Sequence, residues 1–423
     1  MKIIIIGGGF AGINLAKELE NQEGIEIILV DKNNYNFFAP LIYQVATAYL
    51  EPSSISYPFR KFFAGKKNLK FRLGELQKVI PQENKIILNS GELEYDYLVF
   101  ANGAETSYFG MENVKKHSIP MKTLNDAIEM RNTILKNLEK AAICKDIRER
   151  RKLLTIVVAG GGPTGVEVSG MLAEMRKSIL LKEYPELSTA VGKIYLVDGA
   201  KALLSPMSED SQKNTLKALT KLGVEVRLNT SVVNYENDTV YFGNGETILT
   251  KNLIWAAGVT AKEFEGMPTE SYGRSKRLVT DAYNKVTATD NIYAIGDTCI
   301  QLTDVNFPNG HPQVAQVAIQ QGINLADNFK SMVKNKSLKA FKYNDKGSMA
   351  IIGKNKAVVD LPNPKLHLNG FFAWLIWLFV HLMSLISYRN RVMTFYNWMT
   401  AYFSKDQSLR MIIRPEKRKK VQA

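Results

Sequence analysis

The chain has 423 residues, a hydrophobic content of 45% and a net charge of +14. This length and balance allow two or three folded domains and exclude a wholly disordered chain. The two cysteines, Cys144 and Cys299, lack the pair spacing of a zinc site or a redox dithiol, which argues against a disulfide or sulfide reductase. The first residues pass straight into a strand and turn, so we expect a cytoplasmic protein without a signal peptide.

The first hundred residues alternate between strand-like and helix-like patterns. An apolar run, KIIIIG, leads into Gly7-x-Gly9-x-x-Gly12, and a helix is predicted over residues 11–22. In such a turn the first glycine permits the bend, the second admits a pyrophosphate and the third lets the helix pack on the sheet. Asp31 ends the next strand, where an acid binds the ribose of an adenosine moiety. This order of elements predicts a doubly wound α/β sheet.

The same unit occurs again in the middle of the chain. Gly160, Gly162 and Gly165 follow an apolar strand and open a helix that is predicted to reach about Lys182. Asp198 closes the next strand and favours NAD over NADP, because it can bind a free 2′-hydroxyl. Two such turns predict two dinucleotides, one a prosthetic group and one a substrate. A nicotinamide gives a hydride, and a flavin accepts it and can release the electrons singly.

Four further segments read as helical or apolar. A charged helical stretch is predicted near residues 124–150, and a helix over residues 311–329. The run at residues 370–388 is uncharged and has nearly the length of a transmembrane helix. Beyond it, an aromatic-rich segment has helical spacing, with Lys405 and Asp406 after it. Its spaced apolar residues are Phe395, Trp398, Met399, Tyr402 and Phe403.

The region from residue 366 onward holds nine basic residues against two acidic ones, which is half of the whole charge excess. Aromatic helices with basic neighbours favour a monotopic helix on an anionic bilayer over a span or a nucleic-acid tail. A dimer interface is a third interpretation of the same surface. The basic residues are Arg389, Arg391, Lys405, Arg410, Arg414, Lys417, Arg418, Lys419 and Lys420.

With these motifs the sequence resembles the type II NADH:quinone oxidoreductases, a family of two-dinucleotide-binding flavoproteins. The resemblance also rests on four stretches: NIYAIGD, NYNFFAPLIYQVATAYLEP, VAQVAIQQG and GFFAWLIWLFVHLMSLISYRNR. It implies an α/β fold of two Rossmann-like dinucleotide-binding domains plus a C-terminal amphipathic helical membrane-anchoring region. The expected domains are 1–120 and 281–365 for FAD, 121–280 for NADH and 366–423 for membrane association.

The resemblance implies bound FAD, NADH as a substrate and a membrane quinone, menaquinone or ubiquinone, as the acceptor. It further implies a homodimer on the cytoplasmic face of the membrane in a respiratory chain, without proton pumping. Glu167 matches an acid near the nicotinamide and the flavin, and Gln316 and Gln320 match glutamines at the quinone end. The implied FAD residues are Gly7, Gly8, Gly9, Gly12, Asp31, Lys32, Asp297, Ala315, Gln316 and Lys354, and the implied NADH residues are Gly160, Gly162, Gly165 and Asp198.

Simpler interpretations exist for several of these residues. Glu167 lies near a helix start, where acids are common on surfaces because they suit the helix dipole. Lys354 also fits a solvated lysine, and His381 has no second metal-type ligand nearby, so no metal site is expected. Two other functions fit the flavoprotein motifs: a soluble NADH-dependent reductase for a ferredoxin-like acceptor, and an NADH-sensing flavoprotein.

Overall fold

A computed structural model describes residues 1–177, 181–187, 192–404 and 409–413 of the chain. The described chain forms two compact units, each assembled from three separate stretches of sequence. The functional boundaries expected at residues 120, 280 and 365 stay a prediction. The first unit comprises Met1–Phe37, Ser56–Ser107 and Val259–Lys346, and the second comprises Phe38–Ile55, Tyr108–Gly258 and Gly347–Ala423.

The first unit is centred on a five-stranded parallel sheet. Its glycine-turn strand is central, because Ile4 lies beside Ile28 on one side and beside Leu98 on the other. All five strands are parallel, as expected when helices cover the connections. In spatial order the strands are Ile292–Ala294, Tyr97–Phe100, Lys2–Ile6, Glu26–Asp31 and Leu69–Leu73.

Smaller elements complete the first unit. Its helices are Phe10–Glu18, Phe59–Phe62 and Ala315–Val333, with short 3-10 turns at Pro81–Glu83, Thr269–Ser271, Arg274–Lys276 and Gly296–Thr298. Its small sheets pair Tyr35–Phe37 with Ser56–Pro58, Glu105–Thr106 with Val259–Thr260, and Leu278–Thr280 with Cys299–Gln301. A three-stranded antiparallel sheet joins Leu76–Ile80, Lys85–Leu88 and Gly91–Glu94.

The second unit repeats the plan of the first. Its glycine-turn strand is again central, with Val158 between Leu196 and Ile254 in the parallel register. Four strands of this sheet follow the order of the first sheet, as expected for a duplicated dinucleotide-binding unit. The edge strand differs, because Ile119–Pro120 precedes the glycine-turn strand in the chain whereas Ile292–Ala294 follows it. The strands are Ile119–Pro120, Leu253–Trp255, Ile156–Ala159, Ile194–Val197 and Val224–Arg227.

The second unit also holds two antiparallel sheets and most of the helices. The sheets are Val232–Glu236, Thr239–Phe242 and Thr247–Leu249, and Ser348–Gly353, Lys356–Pro362 and Lys365–Asn369. The helices are Ile42–Ala46, Pro52–Ile55, Glu112–His117, Leu124–Ile143, Ile147–Leu154, Pro163–Met175, Leu181–Glu183, Glu209–Leu222, Gly370–Ser384 and Tyr388–Ser404. Short 3-10 turns lie at Ala39–Leu41 and Pro185–Leu187.

The predicted elements are present, but several boundaries were wrong. The stretch near 124–150 is two helices, because Cys144 is extended and the Asp146 carboxylate starts a new helix by accepting from the Arg148 N–H. The helix expected over 311–329 begins at Ala315, since Pro312 lies in its approach and Val314 is extended. The uncharged run at 370–388 breaks at Leu385, which is extended and buried.

Some expected features fall partly outside the described residues. The helix that was predicted to reach Lys182 is described as Pro163–Met175, and residues 178–180 are not described. Within the described ranges, no helix combines the length and the apolar character needed to cross a membrane. The predicted tail residues outside those ranges are Lys405, Asp406, Arg414, Lys417, Arg418, Lys419 and Lys420.

Close packing of Pro163–Met175 on strand Ser348–Gly353 depends on one glycine. A Cβ at Gly170 would stand 1.8 Å from the Ile352 carbonyl oxygen, which is far inside van der Waals contact. The Gly170→Ala substitution should therefore lower the free energy of unfolding by about 1–3 kcal/mol, the usual cost of overpacking. Thermal melts would measure it. Gly162→Ala is the control, since a Cβ at Gly162 meets no atom within 4 Å. Equal melting temperatures for Gly170→Ala and the wild type would contradict this packing argument.

Candidate active site

The first glycine turn has the geometry that its spacing predicted. Gly7 has a φ of +103°, and a Cβ there would lie 2.5 Å from the Ala101 carbonyl oxygen. At Gly12 a Cβ would lie 1.9 Å from the Gly7 carbonyl oxygen, so the helix packs directly on the turn. At Gly9 the nearest such contact is 4.0 Å away, which leaves space at the start of the helix. Only glycine fits the first and third positions.

The second glycine turn repeats these contacts. Gly160 has a φ of +115°, and its Cβ would lie 2.6 Å from the Ala256 carbonyl oxygen. Gly165 lies against the turn in the same way, with a Cβ only 1.8 Å from the Gly160 carbonyl oxygen. At Gly162 a Cβ would meet nothing within 4 Å. Each unit therefore has an open space where a strand ends and a helix begins.

The two predicted ribose-binding acids also hold the turns together. Asp31 accepts from the backbone N–H of Gly8 at 2.7 Å through one oxygen and from that of Asn33 through the other. Asp198 accepts from the N–H of Gly161 and, at 2.6 Å, from that of Ala200. Burial raises the pKa of Asp31, while the hydrogen bond from Gly8 opposes that effect. The structural role of both acids was not predicted from the sequence.

The residues around the first turn fit a dinucleotide cofactor. The helix Phe10–Glu18 has no side-chain cap at its N-terminus, and helix N-termini favour bound anions. Two buried polar atoms at the ends of neighbouring strands, Asn102 Oδ1 and Thr298 Oγ1, find no partner among the described residues. Buried polar atoms are normally hydrogen-bonded, so these two indicate a missing ligand. In the second unit, Pro163–Met175 likewise has no side-chain cap.

Two predicted flavin residues beyond the glycine turn, Asp297 and Ala315, lie beside the start of helix Ala315–Val333 or within it. Gly296 adopts a φ of +77°, and its N–H donates to Gln321 Oε1 at 2.7 Å. This contact fixes the turn that carries Asp297, whose carbonyl oxygen accepts from Gln313 at 3.0 Å. Ala315 is the first residue of the helix. Lys32 is exposed on the strand end after Asp31.

The two predicted quinone-end glutamines are both engaged with the same backbone segment. Gln320 donates to the Asn344 carbonyl oxygen at 2.9 Å and accepts from the Asn344 N–H at 3.0 Å. Gln316 Oε1 accepts from the Lys346 N–H at 3.0 Å. The helix face carrying both side chains is therefore covered by residues 344–346. Their role toward a quinone stays a prediction.

Glu167 is buried rather than a surface acid of the helix start. It lies on Pro163–Met175 with 8% of its surface exposed. The one hydrogen bond that reaches its carboxyl from the neighbouring strand is long, with Ile351 N 3.5 Å from Oε1. Burial raises the pKa of Glu167 well above its ordinary range, and this weak hydrogen bond opposes the effect only in part. A buried acid with a raised pKa can hold and release a proton near neutral pH.

Lys354 contacts the last turn of the tail helix Tyr388–Ser404. Its ammonium donates to the Tyr402 carbonyl oxygen at 2.9 Å and lies 3.9 Å from the centre of the Tyr402 ring. The side chain is exposed, which agrees with the simpler interpretation of a solvated lysine, and it contacts the tail helix in addition. Its role toward a flavin stays a prediction. The Tyr402 contact spans 48 residues, so no local pattern in the sequence predicted it.

The cysteines do not form a redox pair. Both Cys144 and Cys299 are free thiols. Burial raises the pKa of Cys299 to about 11, so it carries almost no reactive thiolate at neutral pH. No cluster of three or more His, Cys, Asp or Glu side chains that could hold a metal ion occurs in the part of the chain that the structure describes.

The two tail helices, Gly370–Ser384 and Tyr388–Ser404, present an apolar surface. Phe372 is 73% exposed and Phe379 is 65% exposed on the first helix. Large exposed apolar surfaces of this kind mark contacts with a protein or a membrane. The other exposed large apolar residues of these helices are Phe371, Leu375, Val380, Met383, Tyr388, Val392, Met393, Phe395, Tyr396, Met399 and Phe403.

Comparison with known proteins identifies similar chains over nearly the whole length. A family model described as pyridine nucleotide-disulphide oxidoreductase matches residues 1–322, and one described as NDH2 C-terminal domain matches residues 346–411. The type II NADH:quinone oxidoreductase NdhA of Mycobacterium tuberculosis is 34% identical, over 96% of this chain and 87% of that protein. The Haemophilus influenzae type II NADH:quinone oxidoreductase is 29% identical, over 85% and 87%.

Solved structures show the same fold. NDH2 from Plasmodium falciparum in complex with NADH superposes with a TM-score of 0.89, at 22% identity over 98% of this chain and 99% of that one. The sulfide:quinone oxidoreductase of Aquifex aeolicus gives a TM-score of 0.72 at 20% identity, over 96% of both chains. At these identities the likeness concerns the fold alone.

The buried state of Glu167 predicts how stability depends on pH. Because its pKa is raised in the folded state, its contribution to stability is full below the ordinary value of 4.5 and is lost as pH rises through the folded pKa. Glu167→Gln replaces the ionisable carboxyl by an amide and so removes this loss of stability. The variant should therefore melt progressively higher than the wild type as pH rises above 4.5. Thermal melts across pH would measure the difference, with the exposed Glu112→Gln as the control. A difference in melting temperature between Glu167→Gln and the wild type that does not change with pH would contradict this prediction.

Proposed function

The chain belongs to the type II NADH:quinone oxidoreductases, and from this premise we propose how its residues divide the reaction. The protein oxidises NADH and reduces a quinone. Of the functions compatible with the sequence, the soluble reductase and the NADH sensor are therefore not favoured. The observation that carries the division of labour is the pair of glycine turns, each closed by an acid that accepts from the turn itself.

We assign FAD to the first turn and NADH to the second. The space at Gly9 and the uncapped helix after it would receive the FAD pyrophosphate, and Asp31 the adenosine ribose. The space at Gly162 and the carboxylate of Asp198 would receive the same groups of NADH. When bound, a flavin supplies the acceptance of a hydride and the release of electrons to a quinone. Asp297, Ala315 and Gln316 would complete the flavin site.

Glu167 would hold the proton that the reaction requires near the nicotinamide-binding turn. It lies five residues after Gly162, in the second turn of the helix that this glycine caps. Burial favours the neutral acid, which is a donor rather than a fixed negative charge. Gln316 and Gln320 would line the quinone end. Their hydrogen bonds with residues 344–346 would hold the two side chains in place there.

The tail helices would seat the protein peripherally on the cytoplasmic face of a membrane. Their exposed aromatic and aliphatic side chains suit the apolar layer below the headgroups. Arg389 is exposed at the start of the second tail helix, where it suits an anionic headgroup. A homodimer through part of the same surface is a compatible arrangement.

The reaction is tested by the flavin spectrum of the purified protein. NADH should bleach a bound flavin without oxygen, and a short-chain menaquinone or ubiquinone should restore the oxidised spectrum. Glu167→Gln should slow one of these half-reactions roughly 10²-fold, because general acid–base groups contribute on that scale. Stopped-flow absorbance measures both. Glu174→Gln is the matched control, since it makes the same change seven residues later on the same helix.

Three outcomes would count against this proposal. Wild-type rates in both half-reactions of Glu167→Gln would remove Glu167 from the mechanism. A flavin that NADH bleaches but that quinone does not reoxidise would favour the sensor interpretation, and extraction of a cofactor other than FAD would overturn the flavin assignment.

Membrane attachment is tested by removing exposed aromatic rings. Phe372→Ser/Phe379→Ser should lower partition onto anionic vesicles at least tenfold, because each ring that leaves the bilayer costs about 1.5–3 kcal/mol. Reduction of a water-soluble dye by NADH should persist. Ile143→Ser/Ile147→Ser is the control, because both residues are more than 70% exposed outside the tail. Equal vesicle binding by the two double variants would contradict the assignment.

A further inference from the structure

The second tail helix, Tyr388–Ser404, buries polar side chains while it exposes apolar ones. Asn390 and Thr394 are 1% and 0% exposed, and both interact with the Ser54 carbonyl oxygen, at 2.8 and 3.2 Å. Asn397 donates to Ser54 Oγ at 3.3 Å. These three residues lie on one helix face, since they are spaced by four and three positions. The polar face of the helix is therefore fixed on the segment 38–55.

Trp398 extends this polar face into a chain of hydrogen bonds. Its indole N–H donates to Gln44 Oε1 at 2.7 Å, and Gln44 Nε2 donates to the Tyr43 hydroxyl oxygen at 3.0 Å. Tyr43 is 1% exposed and Gln44 is 4% exposed, so the chain lies in a dry environment. Both donors point in the same direction, from the tail helix toward Tyr43.

The order of donors leaves the Tyr43 proton available. A phenol hydroxyl has one proton to donate, and its oxygen already accepts from Gln44. Burial raises the pKa of Tyr43, and the Glu167 carboxyl raises it further when it is ionised, so the phenol stays protonated. Glu174, on the same helix as Glu167, acts on Tyr43 in the same direction with less effect.

Tyr43 and Glu167 come from elements that pack on each other. Helix Ile42–Ala46 contacts helix Pro163–Met175, and both side chains are buried there. Among the described residues, Glu167 accepts only the long hydrogen bond from Ile351, which leaves its carboxyl with unused acceptor capacity. A neutral donor and an acid with spare acceptor sites thus share one buried region of low polarity, where a hydrogen bond is strong.

We propose that Tyr43 is a positioning residue for Glu167: its hydroxyl donates to the Glu167 carboxyl through one bridging water and orients it. Gln44 and Trp398 hold the phenol in place. The position of helix Tyr388–Ser404 on the segment 38–55 therefore determines the orientation of the Glu167 carboxyl. This inference rests on the proposed role of Glu167. It gives the membrane-attached helix a direct physical connection to the acid beside the NADH turn.

The test observes the C=O stretch of the Glu167 carboxyl by infrared spectroscopy, in addition to the rate of the reaction. Infrared difference spectra of the holoenzyme against Glu167→Gln identify the C=O stretch of the Glu167 acid. Tyr43→Phe and Trp398→Phe should both move this band to higher frequency, because each loosens or removes the hydrogen bond to the carbonyl oxygen. The Tyr43→Phe/Trp398→Phe double variant should shift it no further than Tyr43→Phe alone, since both act through one contact.

Kinetics supply a second readout. Tyr43→Phe should slow flavin reduction by NADH about fivefold, the value of one ordinary hydrogen bond, with the dissociation constant of NADH unchanged. Tyr396→Phe is the matched control, because it removes the same hydroxyl from an exposed position of the tail helix. Gln44→Met, which keeps the length of the side chain without its polar atoms, replaces Trp398→Phe if that variant does not fold.

Each result decides one part of the inference. An unmoved band in Tyr43→Phe, or the same shift in Tyr396→Phe, overturns the positioning role. A shift in Tyr43→Phe without one in Trp398→Phe or Gln44→Met overturns the connection to the tail. Wild-type half-reactions in Glu167→Gln combined with a shifted band in Tyr43→Phe would reject the proposed function of Glu167 while supporting the contact.

Discussion

Both nucleotide-binding halves depend on one contact between backbones that only glycine permits. An added Cβ would lie 1.9 Å from a carbonyl oxygen at Gly12 and 1.8 Å at Gly165. Because the helix packs this closely, it begins directly at the end of the strand, and its first N–H groups face the space above the turn. The two parallel sheets share the order of four strands, which places the glycine turn and the acid after the second strand at the same points in each unit.

The acids at the second strand ends combine two functions without conflict. A carboxylate has about four acceptor sites, so Asp31 and Asp198 can each accept two backbone N–H groups and still accept from a ribose. The backbone contacts fix the carboxylate before the nucleotide arrives, which lowers the entropic cost of binding. The turn and the proposed ribose site would therefore form one preorganised structure in each unit.

The C-terminal part of the second unit determines the environment of Glu167. Strand Ser348–Gly353 packs against the helix of Glu167 at Gly170 and provides the Ile351 N–H that reaches its carboxyl. Without this strand the acid would lie on an open helix face and be solvated. The C-terminal residues thus serve both as the exposed apolar surface of the tail helices and as one wall of the region that holds the acid.

The sequence by itself determined the two glycine turns, the acids after them, the repeated α/β unit and the apolar tail. These features are local: glycine sterics, hydrophobic periodicity and short spacings specify them wherever the unit lies in the chain. Only the tertiary structure decided that Glu167 is buried, that Gln320 is paired with Asn344, and that Trp398 reaches Gln44 across 354 residues. Burial and side-chain partners depend on which distant segments pack together, and no periodicity within a single segment records that choice.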